Sequence, residues 1–438
     1  MKSRTPPARS GVAFGVRLAV ERLGARGEGV AVYKGRQVYV PHALPGEEIL
    51  ADVDVDRAAV TEILRASPQR IEPICSYYGV CGGCAIQDLE AKAYEAWKRG
   101  LVEGALARAG VEAQVEPVIP AHGGGRRRVT LHARANRERP TGGSVVSGFM
   151  RARSHDIVDI DTCPVLSPGL ASAPRIARSI AQTMAELNKP LDILLTETKS
   201  GIDADVRGAG ALPAAMRLTL TELAGALDLA RLSNHGDIVI ERRTPLLQAG
   251  RAELNPPPGA FLQATVAGEE TLAGLVCEAA KGAARIADLF AGAGTFALRL
   301  AEIAPVVAVE HDRAALAALD RAARFAAGLK GVATEERDLF RRPFAVTELA
   351  QFDCLVFDPP RAGAEAQASA LAQSGVPRVI AVSCNAQTFA RDAKILTGGG
   401  YSLEQVTPVD QFLYSPHVEI VGVFVRSAPK KKRRPLLG

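Results

Sequence analysis

"DLFAGAGTFALRLA", residues 288–301, decides the fold. It completes a short apolar run, Ile286 to Leu289, that reads as a strand, and it leads into a run of helical composition. Gly292 and Gly294 let the backbone approach a ligand closely, at a point where the amides of a starting helix face outward. Glu310 ends the next strand-like run, 22 residues after Asp288, where a carboxylate can bond the hydroxyls of a ribose. Ala297 occupies the third small position, so the loop also passes for a dinucleotide fingerprint. A tight strand-to-helix turn without a ligand would use the same glycines. Loop, acid and strand context together favour a cofactor that carries an adenosine.

Working outward, strand-like runs "RIADLF", "VVAVEHD", "FDCLVFDPP" and "RVIAVSCN" alternate with helix-like runs such as "RAALAALDRAARFAAGL". Two further strands, around 403–409 and 418–425, end the series. The alternation predicts an α/β fold, a Rossmann-like, doubly wound parallel sheet with helices on both faces. "NPPPG", 255–259, breaks the pattern on its amino-terminal side. Residues 12–66 alternate as short strands between glycine turns, which predicts a small OB-like β-barrel. Such a barrel can present a surface to oligonucleotides or only pack against its neighbour. Residues 88–110 have helical spacing, and 126 to about 250 mix strands with helices near 170–187 and 212–227. The expected division is a basic arm (1–10), the barrel (11–68), an α+β central domain (69–255), the cofactor domain (256–427) and a basic tail (428–438).

Of 438 residues, 47% are hydrophobic and 23% charged, enough to build several cores and too apolar for wholesale disorder. No uninterrupted apolar run is long enough to span a bilayer, and "MKSRTPPARSG" lacks the apolar core of a signal peptide, so a cytoplasmic protein with no membrane partner is expected. The net charge of +5 is unevenly spread. The tail Lys430, Lys431, Lys432, Arg433, Arg434 is one basic block, and eight arginines from Arg126 to Arg153 face one acid, Glu138. That imbalance points to a polyanion, most simply a nucleic acid. The blander readings are a solvated tail and arginines paired with acids elsewhere in the fold.

Seven cysteines without a secretory signal should be reduced thiols. Cys277 and Cys354 sit in apolar runs and read as small buried hydrophobes. Cys75, Cys81, Cys84 and the distant Cys163 form a spaced set, enough thiolates to close a coordination sphere around zinc or an iron–sulfur cluster. Spacing does not choose between them. Cys384 differs from all of these. It ends the buried run Val379 to Val382, flanked by Ser383 and Asn385, just before a helical segment, and the carboxyl end of such a strand is where α/β sheets place ligands. Asp338 in "ERDLF" and Asp358 in "DPPR" fall at the ends of the third and fourth strands of the series. Aspartate–proline–proline turns also occur in methyltransferases that act on exocyclic amines.

"GAFLQAT", "DLFAGAGTF", "VEHD", "DPPRAG", "SCN" and "HVE" occur in the order and spacing of the RNA 5-methyluridine (uracil-C5) methyltransferases. "CSYYGVCGGCAIQ" resembles that family's cysteine motif, "GFMRARSHDIVDIDTCPVL" its central segment, and residues 12–66 its small barrel, the TRAM-type RNA-binding module. The likeness covers nearly the whole chain except the tails, and is to the iron–sulfur type that acts on 23S ribosomal RNA. It implies a methyl donor, S-adenosyl-L-methionine, and an RNA substrate, ribosomal rather than transfer RNA, with a monomeric enzyme expected. It implies a 4Fe-4S cluster, with zinc as the alternative, on Cys75, Cys81, Cys84 and Cys163. Gln263, Phe290, Thr295, Glu310, Asp338 and Asp358 would contact the methyl donor or shape its pocket. Thr295 stands where relatives often carry asparagine, and Leu413 where proline is common.

The chemistry needs one thiol, one base and one methyl donor held in register. C5 of uracil is a weak nucleophile, and a thiolate adding at C6 makes it an enolate-like one. The resemblance makes Cys384 that thiol and Glu419, in "SPHVEIV", the base that later removes the C5 proton. His417, two residues earlier and on the same face of a strand, is the rival base. Two other readings stay open on the sequence: a nicotinamide-dependent oxidoreductase, in which "SCN" and "DPPR" have no work, and a non-catalytic RNA-binding protein.

Overall fold

The computed structural model describes residues 11–135 and 145–426. The amino-terminal arm, the basic tail and residues 136–144, with Arg137, Glu138 and Arg139 of the arginine block, lie outside the described residues. The chain forms two compact units. One gathers residues up to Lys98 with Gly148–Pro164 and Phe412–Pro416; the other holds the remainder.

In the first unit, β1 (Ala13–Leu23), β2 (Gly29–Tyr33), β3 (Arg36–Val40), β4 (Glu48–Asp54) and β5 (Arg57–Arg65) close a barrel in the order β1-β2-β3-β5-β4. Its interior is filled by residues two apart, Leu18 and Val20, Val38 and Val40, Ile49, Ala51 and Val53, because alternate side chains of a strand share a face. Gly29 is required by packing: a Cβ there would meet Ala43 O and Val20 Cγ1 at 2.7 Å. Helix α1 (Ala91–Ala109) starts in this unit, where Tyr94 joins Leu44, Ile86 and Leu89 in a small core.

The second unit continues with β6 (Ile119–Pro120) and β7 (Arg128–Ala135). After β8 (Val145–Met150) and β9 (Ile157–Asp159), which pair antiparallel from Gly148 to Met150, come α2 (Ala173–Thr183), β10 (Leu191–Thr198), β11 (Gly201–Arg207), α3 (Ala214–Ala226), β12 (Arg231–Asn234) and β13 (Asp237–Glu241). Strands run β13-β12-β11-β10-β7 across this sheet. A short hairpin, β14 (Leu247–Ala249) and β15 (Ala252–Leu254), precedes the proline-rich loop.

The remaining elements are α4 (Val266–Ala280), β16 (Ile286–Leu289), α5 (Ala297–Leu300), β17 (Val306–Glu310), α6 (Arg313–Phe325), β18 (Val332–Glu336), α7 (Val346–Leu349), β19 (Cys354–Phe357), α8 (Glu365–Ala372), β20 (Arg378–Ser383), α9 (Ala386–Gly398), β21 (Tyr401–Asp410) and β22 (Glu419–Arg426). They build an eight-stranded sheet in the order β18-β17-β16-β19-β20-β22-β21-β6. Both faces are buried, as the near-continuous apolar strands require. Ala287, Leu289, Leu355, Phe357, Val379 and Ala381 pack on one side. Ile286, Cys354, Val356, Ile380 and Val382 pack on the other.

β16 to β20 are mutually parallel, as expected, but the sheet as a whole is mixed. β22 runs antiparallel to both β20 and β21. Only residues 411–418 join β21 to β22, too few for a parallel crossover, which takes a dozen or more. β6 adds an edge strand parallel to β21 that the sequence pattern did not reveal, being two residues long. Strand order reverses between β16 and β19, and in open α/β sheets that reversal opens a crevice at the carboxyl ends of the strands. Among the described residues no helix is long and apolar enough to cross a membrane.

Candidate active site

The crevice is lined from the ends of β16, β17, β19 and β20. Beyond β16 the chain turns through Phe290, at φ +61°, an uncommon left-handed residue, and reaches the two glycines. They do different work. A Cβ on Gly294 (φ +104°) would strike Leu319 Cγ at 2.9 Å, so packing forbids one. A Cβ on Gly292 (φ +54°) would meet nothing within 4 Å, so that backbone faces open space. Glu310, at the end of β17, accepts from the amides of Gly292 (3.1 Å), His311 (2.8 Å) and Asp312 (3.0 Å), which fixes its carboxylate at the mouth of the glycine loop. This open cradle beside a fixed acceptor fits an adenosine-bearing donor.

Asp338 lies past the end of β18 and accepts from the Phe340 amide at 3.0 Å. The Phe340 ring stands 5.4 Å from that of Phe290, so the third-strand turn joins the glycine loop through two aromatic rings. Phe340 was not singled out from sequence, although its place two residues after Asp338 was visible. Thr295, half-buried, offers its carbonyl to Arg299 at 2.9 Å.

The second half of the crevice is acidic and closed in. Asp288, buried, has its carboxyl raised well above the usual range, first by burial and then by Asp358, with the Ala297 amide opposing. Asp358, after β19, is pushed up to about 7 by burial, against a 3.3 Å bond from Gln263 Nε2 that favours the carboxylate. Cys384 is half-buried at the junction of β20 and α9. Asn385 caps α9, its side chain accepting from the amides of Gln387 (2.9 Å) and Thr388 (3.3 Å), so the polar residue beside the thiol belongs to the helix start. Burial pushes the Cys384 thiol up to about 11; Glu419 and Asp358 push the same way and Arg361 opposes.

Glu419, buried at the start of β22, accepts from Gln411 Nε2 at 3.2 Å. Arg361 Nη2 lies 2.9 Å from His417 Nε2. The same Nη2 lies 3.3 Å from Nδ1, so the guanidinium lies against both ring nitrogens. The structure therefore gathers Cys384, Glu419, Asp358 and Gln263 at one end of the crevice and Phe290, Glu310 and Asp338 at the other, with Asp288 between. Gln411 and Arg361 join them. Gln411 carries no signal in a single sequence; Arg361 was visible as the cation of "DPPR".

In the first unit, the loop that departs from the family pattern is firmly held. Leu413 packs with Leu44, Ile86, Leu89 and Tyr94, Lys98 Nζ donates to Phe412 O at 3.1 Å, and Tyr414 N donates to Tyr94 Oη at 2.9 Å. An apolar anchor thus does the fixing where a proline would stiffen the chain.

One expectation needs correction. The arginine run at 126–128 is not an open cationic surface. Arg127 is buried, pairs with Glu269 and donates to Gln263 O at 3.2 Å; Arg128, half-buried, donates to Gly259 O at 3.2 Å. The carboxylate that answers Arg127 lies on α4, far along the chain, out of reach of local charge counting. Arg134, Arg151 and Arg153 are exposed. Cys75, Cys81, Cys84 and Cys163 all fall in the first unit and are half-buried, and the Gly83 amide donates to Cys81 Sγ at 3.4 Å. Among the described residues no group of three or more His, Cys, Asp or Glu side chains is placed to hold a metal ion. Cys277, read as buried, is half-buried.

Residues 252–428 match the family model described as tRNA (Uracil-5-)-methyltransferase. The chain is 46% identical to an uncharacterized RNA methyltransferase of Brucella suis biovar 1 (strain 1330), over 93% of this chain and 97% of that one. It is 34% identical to the 23S rRNA (uracil(1939)-C(5))-methyltransferase RlmD of Chromohalobacter salexigens, over 94% and 90% of the two chains. In fold it is similar to the Pyrococcus abyssi tRNA (uracil-54, C5)-methyltransferase solved with S-adenosyl-L-homocysteine, with a TM-score of 0.70, 24% identity, and 94% and 100% of the two chains covered.

Proposed function

The chain belongs to the RNA uracil-5-methyltransferase family, whose members use S-adenosylmethionine, and from that premise we propose that it methylates C5 of one uridine in 23S ribosomal RNA through a transient Cys384–C6 bond. One observation carries the mechanism: Cys384 and Glu419 flank the Ser383–Ile420 pair that ends the β20–β22 ladder, which brings a thiol and a carboxylate together at the carboxyl edge of the cofactor sheet.

Bound S-adenosylmethionine supplies an electrophilic methyl group. Glu310, the Gly292 backbone and the Phe290 and Phe340 rings would hold its adenosine, and Asp358 and Gln263 would border its reacting end. The Cys384 thiolate adds to C6, forming the S–C6 bond while the C5=C6 pair moves towards the O4 carbonyl. C5 would then take the methyl as the donor's S–CH3 bond breaks and its pair stays on sulfur, leaving the thioether S-adenosylhomocysteine. The Glu419 carboxylate removes the C5 proton, the C–H pair re-forms C5=C6, and the S–C6 bond breaks to return the thiolate. Glu419 is preferred to His417, whose ring lies against the Arg361 guanidinium, a neighbour that disfavours a second positive charge. A uridine in folded RNA must leave its stack to reach Cys384, at a cost of a few kcal/mol, and contacts from exposed Arg134, Arg151 and Arg153 can offset part of it.

The ribosomal target is supported by the RlmD relative. A 4Fe-4S cluster, or zinc, on the four cysteines is retained as a structural proposal, supported by their shared unit and the Gly83 amide aimed at Cys81 Sγ; it enters no step above. Purified protein given methyl-labelled S-adenosylmethionine and equal 23S and transfer RNA should label one uridine, at C5, in the 23S RNA. Label confined to transfer RNA would move the enzyme to that substrate.

A further inference from the structure

We propose that Gln411 is a positioning residue that sets the base and the methyl-donor side of the site in one register. The inference rests on the reading of Glu419 as the base. Gln411 is 1% exposed and uses both ends of its amide. Its Oε1 accepts from the amides of Ala264 (2.8 Å) and Thr265 (3.4 Å). Backbone amides only donate, so they fix which end of the side chain is oxygen. Nε2 must then face the other way, where it donates to Gln263 Oε1 at 2.6 Å and to Glu419 Oε1 at 3.2 Å.

The orientation propagates. With its oxygen taken by Gln411, Gln263 presents Nε2 to Asp358, 3.3 Å away. Glu419, Gln411, Gln263 and Asp358 thus form a chain whose donors point outward to a carboxylate at each end. One end removes the C5 proton; the other borders the reacting methyl. Gln411 follows β21, whose Val409 is the ladder partner of Glu419, so the backbone brings the two side chains to the same level. Space for Gln411 is kept by Gly268 in α4, where a Cβ would meet Gln411 Oε1 at 2.6 Å and its Cβ at 2.7 Å.

Gln411 touches neither reacting atom in this scheme. It acts by holding Glu419 aimed at C5 and Gln263 aimed at Asp358, and misplacing a reacting group by about 1 Å can cost on the order of a hundredfold in rate. Two variants separate this from packing. Gln411→Met removes all four bonds at similar length. Gln411→Glu keeps an acceptor for the Ala264 and Thr265 amides, which preserves the loop, but has no donor for Gln263 or Glu419.

The test mixes each variant with S-adenosylmethionine and substrate RNA and follows three quantities: methyl transfer in a single turnover, denaturant-resistant protein–RNA adduct, and affinity for the methyl donor without RNA. Glu419→Gln runs alongside. Both Gln411 variants should release methylated RNA roughly ten- to a hundredfold more slowly than they transfer methyl. Adduct should accumulate, and donor affinity should fall several-fold. A packing role would lower transfer and release equally, following the folded fraction read from circular dichroism. Adduct with Glu419→Gln but with neither Gln411 variant overturns the inference alone. Adduct with none of the three overturns the base assignment, and the inference with it.

Discussion

Cys384 and Glu419 are the next residues in register beyond the Ser383–Ile420 pair that ends the β20–β22 ladder. The antiparallel return of β22 is what brings them together. Had the last strand run parallel, as the alternation suggested, its first residue would lie at the opposite edge of the sheet.

Burial, more than that pairing, raises the resting thiol. Burial, Glu419 and Asp358 push Cys384 up to about 11, so at neutral pH it is protonated. Below that value the thiolate fraction grows tenfold per pH unit, and alkylation follows the thiolate. Iodoacetamide labelling of Cys384 in protein free of RNA and donor should therefore climb steadily from pH 7 to pH 10. Arg361→Ala should slow it further, because Arg361 is the group that opposes the rise. A plateau by pH 8, read by peptide mass spectrometry, would contradict this.

The two glycines of the cofactor loop should fail differently. Gly294→Ala drives a methyl group into Leu319 and Leu298 and should cost roughly 1–3 kcal/mol of stability. Gly292→Ala meets no neighbour, so its stability cost is only the roughly 1–2 kcal/mol of a left-handed residue. Its Cβ occupies the cradle, and S-adenosylmethionine affinity should fall more than in the other variant. Thermal melts and calorimetric titration of both proteins check the crossover.

Arg127 and Arg151 come from the same basic stretch and should behave as opposites. Arg127→Ala leaves Glu269 short of one of its two guanidinium partners, Arg299 being the other, and should destabilise the fold by roughly 3 kcal/mol. Arg151 is exposed, so Arg151→Ala should leave the melting temperature unchanged and flatten the salt dependence of RNA binding. Equal salt slopes for wild type and Arg151→Ala would remove this arginine from the RNA surface.

The parallel core of the sheet was legible because its strands are apolar throughout, as burial on both faces demands, and because Gly292, Gly294 and Glu310 punctuate it. Cys384 was singled out by its place at a strand's end, and it does lie at the junction of β20 and α9. What a single sequence hides is pairing across long separations. Arg127 meets Glu269, and Gln411 meets the Ala264 amide, through folding that brings distant elements together. β6, with two residues, has no pattern to read. The cysteine spacing singled out four thiols that fall in one unit, but spacing cannot say whether they close around an ion.

Metal content decides that last matter. Protein purified without oxygen should carry about four irons per chain if the cluster proposal holds, and Cys81→Ser should lose both iron and the brown colour. One zinc per chain and no iron would replace the cluster with a zinc site, and neither metal would withdraw the proposal.

The central claim is that Cys384 bonds to C6 of the target uridine. In RNA carrying 5-fluorouridine at that position, C5 has no proton for Glu419 to remove, so the S–C6 bond cannot be broken by elimination. Incubation with S-adenosylmethionine, denaturation, nuclease and protease digestion, and mass spectrometry should yield one nucleotide, methylated and fluorinated at C5, attached to the peptide containing Cys384, and Cys384→Ala should yield none. A nucleotide on any other residue, or no adduct from wild-type protein that methylates the unmodified RNA, would contradict the account.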